Sequence, residues 1–227
     1  MSRSRTLKGS LTAVLAACAL TACTAHPGAA AVVGSDRISD SHLDEVALAL
    51  CSAQNLQSGA PQPLSSRAAR QGALSVLING ALSRLYGQAK GIRPSQQQVS
   101  AAVTANQRTL DSLPAAERSA FEDTLREYAE GQLIVIQAGK RALASHNSQT
   151  IPSSQQALVA GQRVRDAWVR RHVDVSVDPR YGRFVSGTLQ PAGGSLSVAA
   201  SADAVAGAGA NPGQSWVSSL PANQKCS

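Results

Sequence analysis

The side chains able to do acid–base or metal chemistry are scattered along this sequence. The four histidines stand at positions 26, 42, 146 and 172, and no two of them are three or four residues apart. A metal site would need ligands brought together from distant parts of the chain. The adjacent carboxylates Asp44–Glu45 and Glu122–Asp123 point apart on a helix, so they form no acid–base pair. The sequence also has no nucleophile elbow, phosphate-binding loop or Cys-x-x-Cys motif. It therefore predicts a protein that is not an enzyme and binds no cofactor or metal.

Residues 1–22 have the features of a signal peptide for export. A basic start is followed by an apolar run, residues 11–22, that is too short to span a bilayer. The run ends in Leu20-Thr21-Ala22-Cys23, which resembles the lipobox of bacterial lipoproteins. The resemblance implies cleavage before Cys23 and acylation of that residue. Several acyl chains on one residue would anchor the protein stably to the extracytoplasmic face of the cell membrane.

Two alternatives to lipidation at Cys23 remain open. Leu15-Ala16-Ala17-Cys18 fits the same pattern, although lipidation at Cys18 would leave a very short apolar run. An ordinary secretory signal with incidental cysteines is the other alternative. We favour Cys23, with residues 23–31 as a tether to the folded part.

Cys51 and Cys226 are the two cysteines left after processing. An even pair in an oxidising compartment predicts a disulfide, which would tie the end of the chain to the first helix. Cys51 also falls on the apolar face of that helix, so a buried free thiol is the alternative.

The charge of the mature chain is modest. The full sequence has 21 Lys and Arg against 14 Asp and Glu, and the signal peptide removes three of the positive charges, which leaves +4. No basic run is interleaved with aromatic residues, so we expect no nucleic-acid partner. Four arginines do cluster between residues 163 and 171, and we interpret them as a solvated helix face. They are Arg163, Arg165, Arg170 and Arg171.

Apolar residues at helical spacing predict five helices, at about residues 39–54, 65–90, 95–110, 114–145 and 153–171. Ser39 or Ser41 can cap the first, and Ser95-x-x-Gln98 and Ser153-x-x-Gln156 are capping boxes for the third and fifth. Residues 55–63 and 146–152 are predicted to be connections. The second and fourth helices carry the longest apolar stripes. These stripes are Leu74, Leu77, Ile78, Ala81, Leu82 and Leu85, and Phe121, Leu125, Tyr128, Ala129, Leu133, Ile136 and Leu143.

Two short strands flank the helices. Residues 31–33 are one, and the alternation of Val173, Val175 and Val177 with polar residues is the other. From residue 185 to 227 the chain is rich in Ala, Gly and Ser, and we expect a flexible tail. Only a few side chains could pin that tail to the body: Leu196, Val198, Trp216, Val217 and Cys226. The predicted fold is a mainly α domain over residues 32–184 with a minor two-stranded β element.

The stretch Val-Val-Gly-x-x-Arg-Ile-Ser-x-x-x-Leu at residues 32–43 resembles the start of the SurA/PrsA family of extracytoplasmic foldases. Leu77-Ile78-Asn79, the segment from Tyr86 through Val99, the amphipathic helix at 121–143 and the ending at 173–184 are similar to the same family. The resemblance covers about residues 31–184 and implies the family's N-terminal chaperone domain. Members often insert a parvulin prolyl-isomerase domain after the fourth helix, and the connection here is too short to hold one.

The resemblance therefore implies a chaperone-type module without prolyl-isomerase activity. Together with the predicted lipid anchor, it predicts a membrane-anchored holdase whose partners are unfolded or exported proteins. The alternative is a cell-envelope scaffold lipoprotein with one dedicated partner. A long apolar groove would favour the holdase, a closed core with a polar surface would favour the scaffold, and a converged polar cluster would favour an enzyme.

Overall fold

The computed structural model describes residues 27–58, 63–144, 152–190, 201–208 and 212–226. The signal peptide, Cys18 and Cys23 lie outside the described residues. The protein is mainly helical with small antiparallel sheets, as the sequence predicted. No helix within the described ranges is both long and apolar enough to cross a membrane.

The helices in chain order are α1 (Asp40–Ser58), α2 (Ser66–Lys90), α3 (Gln96–Thr104), α4 (Gln107–Ser112), α5 (Ala115–Ala144), α6 (Ser154–His172), α7 (Ala202–Ala208) and α8 (Gln214–Ser219). The strands are β1 (Ala29–Val33), β2 (Asp36–Ser39), β3 (Leu64–Ser65), β4 (Val175–Val177), β5 (Arg183–Val185), β6 (Thr188–Gln190) and β7 (Lys225–Cys226). A single 3-10 turn, Ala222–Gln224, precedes β7.

Local capping sets the helix starts. Ser95 with Gln98 and Ser153 with Gln156 form the predicted capping boxes of α3 and α6. At α1 the Oγ atom of Ser39 accepts the backbone N–H of His42 at 3.2 Å, so Ser39 rather than Ser41 caps that helix. At the C-terminal end of α2, Gly91 adopts a left-handed conformation with φ 59°, which a glycine reaches without steric cost.

Two helix boundaries differ from the prediction. The first helix continues to Ser58, so residues 55–58 are helical rather than a loop. The predicted third helix is divided into α3 and α4 at Asn106. The side chain of Asn106 donates to the carbonyl oxygen of Ala102 at 3.0 Å. Local bonds of this kind compete with helical hydrogen bonding, and the break lets both Val103 and Leu110 reach the core.

The two ends of the helical body meet in one sheet with strand order β2–β1–β4. β1 pairs antiparallel with β4, with Ala31 opposite Val177 and Val33 opposite Val175. The predicted two-stranded element therefore exists, and β2 extends it to three strands through a turn at Gly34, whose φ is 59°. β1 also begins earlier than predicted. Residues 29 and 30, assigned to the tether, are buried strand residues, and the small side chain of Ala30 packs in the core with residues of α1 and α2.

The main core lies between this sheet, α1 and α2. The predicted stripe of α2 supplies its centre, and Leu74, Ile78 and Leu82 are almost fully buried. The predicted stripe of α5 is only partly correct. Phe121 and Ala129 are buried, but Tyr128 is 49% exposed, and the inward positions farther along are Ile134, Val135 and Ala138. A helix of 30 residues that contacts α1, α2, α3 and α6 buries different faces along its length.

The described part of the C-terminal tail contains more regular structure than the sequence predicted. A hairpin, β5–β6, follows the turn after β4, and α7 and α8 precede the strand β7. Val217 is buried and Trp216 is half-buried, as expected for residues that pin the tail. Two further predicted contacts, Leu196 and Val198, lie outside the described residues.

Candidate binding cleft

Cys51 and Cys226, the predicted disulfide partners, lie within disulfide distance, with Cα atoms 5.8 Å apart. Cys51 is buried in α1, and Cys226 belongs to β7, which pairs antiparallel with β3 at the start of α2. The pair thus joins the last described residue to the helical body. Cys23, the predicted lipidation site, is outside the described residues.

A second feature of the helical body is a very close contact between α5 and α6. A Cβ atom placed on Gly139 would overlap the backbone of Ala157, and one on Gly161 would overlap the carbonyl group of Val135. Only glycine allows the two backbones to come so near. Nearer the middle of α5, Gly131 faces α2, where a Cβ atom would lie 3.3 Å from that of Ser83.

Between these close contacts and the β5–β6 hairpin, the surface opens into a cleft of about 420 Å³. α2, α5 and α6 form its walls, and residues 186–188 of the hairpin form its edge. Its lining combines apolar side chains with side-chain amides. The apolar side chains include Val76, Tyr128, Val135 and Leu158, and the amides are Asn79, Gln132 and Gln162. We call this region the α2–α5–α6 cleft.

Arg165 lies at the base of the cleft and is only 7% exposed. Its Nη1 donates to the Oγ atom of Ser83 at 3.1 Å, and its Nη2 donates to Oδ1 of Asn79 at 3.2 Å. The carboxylate of Asp166 accepts from Nε at 2.9 Å and from Nη2 at 2.8 Å. A buried guanidinium with these partners is well satisfied and ties α6 to α2.

Asn79 extends the same network to the edge of the cleft. Its Nδ2 donates to the carbonyl oxygens of Ser75 at 2.9 Å and of Gly187 at 3.1 Å. One amide side chain therefore connects α2, the buried arginine and the turn of the hairpin. The hairpin edge of the cleft is thus held in place by the helical body.

The charges that line the cleft are those of Arg165 and Asp166, which neutralise each other. The remaining polar groups are hydroxyls and amides, which donate and accept hydrogen bonds without being suited to proton transfer near neutral pH. No set of three His, Cys, Asp or Glu side chains in the described part of the chain is placed to hold a metal ion. The arrangement is suited to binding an uncharged group through hydrogen bonds and apolar contacts.

The sequence prediction for Arg165 was wrong. Arg163, Arg170 and Arg171 are exposed, as a solvated face requires, but Arg165 is buried. The sequence did contain a signal for the burial of Arg165. This residue lies four residues after Gly161 and three before Trp168, and this spacing places it on the apolar side of α6. Such a position combines burial with a charge, which marks a polar network.

Comparison with known proteins gives no match, whether with protein-family models, with curated proteins or with solved structures. The resemblance to the SurA/PrsA family therefore stays a prediction based on the residues quoted above.

Proposed function

We propose that this protein is a membrane-anchored extracytoplasmic lipoprotein that holds a short segment of an exported protein in the α2–α5–α6 cleft. The observation that carries the proposal is the composition of that cleft, in which a half-exposed Tyr128 stands among side-chain amides and apolar side chains. Amide side chains can bond to both the N–H and the C=O groups of an extended backbone. The apolar wall can accept an uncharged side chain of the same segment.

The size of the cleft favours a dedicated partner over a general holdase. A volume of about 420 Å³ is in the range of specific ligand sites and is small for an unfolded chain. The stripe of α2 that would have lined a long groove instead forms the core, as the burial of Leu74 and Leu82 illustrates. The large apolar side chains exposed in the described ranges are distributed over five elements, with two on α1 and one each on α5, α6, β5 and α7: Leu48, Leu56, Tyr128, Val159, Val185 and Val205.

The decisive experiment is photocrosslinking in living cells. A photoreactive amino acid replaces Tyr128 in the cleft, and the matched control replaces Asp123, an exposed residue five positions earlier in α5. We expect one or a few exported proteins to be captured from position 128 and none of them from position 123. Capture of many unrelated proteins would favour the holdase, and equal capture from both positions would contradict a role for the cleft.

Two assays in solution complete the comparison. A general holdase suppresses aggregation of a denatured test protein, whereas a protein with a dedicated partner does so weakly even in several-fold excess. In either case we expect no acceleration of X-Pro isomerisation in a tetrapeptide substrate, because the resemblance implies a module without the parvulin domain. Measurable isomerase turnover would refute that part of the proposal.

The proposed anchor is tested separately by fractionation. Cys23→Ala should release the protein from membranes or leave it unprocessed, whereas Cys18→Ala should leave it anchored. The reverse pattern would indicate that Cys18 is the lipidated residue. No change in either variant would favour an ordinary secretory signal.

A further inference from the structure

A second cavity, of about 640 Å³, lies between the C-terminal tail and the start of α2. On the body side it is lined by the first two turns of α2 and by the turn that contains Arg180 and Tyr181. On the tail side it is lined by α7, α8 and the 3-10 turn, including Trp216, Leu220 and Asn223. We call it the tail cavity.

Both walls of the tail cavity are held by specific contacts. The side chain of Gln71 donates to the carbonyl oxygen of Tyr181 at 3.1 Å, which fixes the turn to α2. On the tail side, the Trp216 ring packs so closely on Gly207 that a Cβ atom there would overlap it. The Cys51–Cys226 pair then fastens the tail to α1.

The charged residues that line the cavity are predominantly basic. Arg67, Arg70 and Arg180 line it, against Asp203 as the one carboxylate in the same lining. Arg70 binds Asp44 at 2.6 Å through Nε, and Arg180 binds Asp178 at 2.9 Å and Asp40 at 3.1 Å through Nη2. These carboxylates offset the charge of both arginines, but each of these ion pairs uses only one nitrogen of its guanidinium. Arg67 is exposed and forms no ion pair with any residue that the structure describes.

The cavity lies beside the point where the tether enters the fold. The backbone N–H of Asp40 donates to the carbonyl oxygen of Gly28 at 3.1 Å. The carboxylate of Asp40 binds Arg180 and accepts the Tyr181 hydroxyl at 3.0 Å. Cys23 precedes Gly28 by five residues, which span at most about 18 Å when fully extended. A lipid on Cys23 would therefore hold the Gly28 end of this face within about 18 Å of the lipidated residue.

We propose that the tail cavity binds a phosphate group, supplied by the headgroup of an anionic phospholipid in the membrane next to the anchor. Guanidinium groups bind phosphate through paired, charge-assisted hydrogen bonds. Tryptophan is favoured at the level of lipid headgroups, where its ring is apolar and its N–H remains hydrogen-bonded. The inference rests on the proposed anchoring for the source of the phosphate, but not on any role of the α2–α5–α6 cleft.

The test uses the full mature chain with Cys23→Ser, so that a covalent lipid makes no contribution. Sedimentation with phosphatidylglycerol vesicles and with phosphatidylcholine vesicles measures the binding to anionic and to zwitterionic lipid. Arg67→Gln is compared with Arg163→Gln, which removes the same charge from an exposed position in α6 outside the cavity. Thermal unfolding confirms that both variants fold.

We expect binding to phosphatidylglycerol to be about fivefold weaker in Arg67→Gln and unchanged in Arg163→Gln. A titration with inorganic phosphate identifies the source. If inorganic phosphate binds with the same dependence on Arg67 while the vesicles do not, the site takes a soluble phosphate and the lipid assignment is overturned. Equal binding to both vesicle types, or equal loss in both variants, overturns the proposal as a whole.

The outcome is separable from that of the proposed function. Vesicle binding is measured without a polypeptide partner, and crosslinking from position 128 is measured without reference to Arg67. A failure in one experiment leaves the other informative.

Discussion

Gly139 and Ala157 bring the backbones of α5 and α6 into direct contact, because a Cβ atom on Gly139 would overlap the carbonyl oxygen of Ala157. Gly161 makes the reciprocal contact with Val135. The obstacle is backbone on both sides, so no side-chain rotation can relieve it.

Gly139→Ala should therefore lower the free energy of unfolding by about 3 kcal/mol, at the upper end of the usual cost of overpacking. Gly72→Ala is the matched control, because a Cβ atom on Gly72 would meet nothing within 4 Å. That change should stabilise the protein by about 0.5–1 kcal/mol through the helix propensity of alanine. Urea unfolding followed by circular dichroism measures both, and equal effects of the two variants would contradict the close contact.

Arg165→Met tests the buried network at the base of the cleft. The methionine fills much of the space but leaves Asn79 Oδ1 and the Asp166 carboxylate without their donor. We expect a loss of about 2–3 kcal/mol in the free energy of unfolding. Arg163→Met, two residues earlier on the exposed face, should change it by no more than about 0.5 kcal/mol. If both variants unfold at the same urea concentration, Arg165 does not hold α6 to α2.

Asp178 provides a test of pH dependence. The side-chain hydrogen bond from Arg180 lowers the pKa of Asp178 below its ordinary value of 3.8. The fold therefore favours the charged carboxylate, and the resulting stability is fully present above pH 3.8 and is lost as the pH falls through the lower, folded-state pKa.

Asp178→Asn keeps an acceptor for the backbone N–H of Arg180 but removes the charge. We expect the stability difference between the wild type and this variant to be constant at about pH 5–7 and to shrink below pH 3.8. Urea unfolding at a series of pH values measures it. A difference that grows as the pH falls would have the wrong sign for this ion pair.

A disulfide between Cys51 and Cys226 should protect the tail from proteolysis. The chain-entropy model gives about 4–5 kcal/mol for a loop this long, as an upper value because β3 and β7 pair over only two residues. Non-reducing peptide mapping should recover the two cysteines in one linked peptide. In the Cys51→Ser/Cys226→Ser variant we expect proteases to cut near Val217 before they cut the body. Recovery of both residues as free thiols from the cell envelope would end this prediction.

Much of the helical body could be predicted because its signals are local. The α2 stripe, the caps at Ser95 and Ser153 and the presence of the strands β1 and β4 each follow from a few neighbouring residues. The break at Asn106 was missed because the apolar spacing continues from Val103 to Leu110, and nothing in that spacing marks the point at which the Asn106 backbone leaves the helix.

The cleft could not be predicted in the same way. Its properties depend on which residues of α2 meet Arg165 and on where the hairpin turn at Gly187 lies relative to Asn79. Both are relations between elements far apart in the sequence. The opposite error at Tyr128, predicted inside and found half-exposed, has the same origin, because the inward face of α5 changes along its length.

The pairing of Ala31 with Val177 has a consequence for how the protein is made. An exported chain emerges from its translocation channel N-terminus first, so β1 is outside long before β4 is. The central sheet cannot close until almost the whole body has crossed, and contacts so distant in sequence close slowly. Under the proposed export and anchoring, we therefore expect the chain to wait at the membrane surface with β1 paired only to β2. The edge of β1 that later takes β4 stays open to envelope chaperones and proteases until the last part of the body arrives.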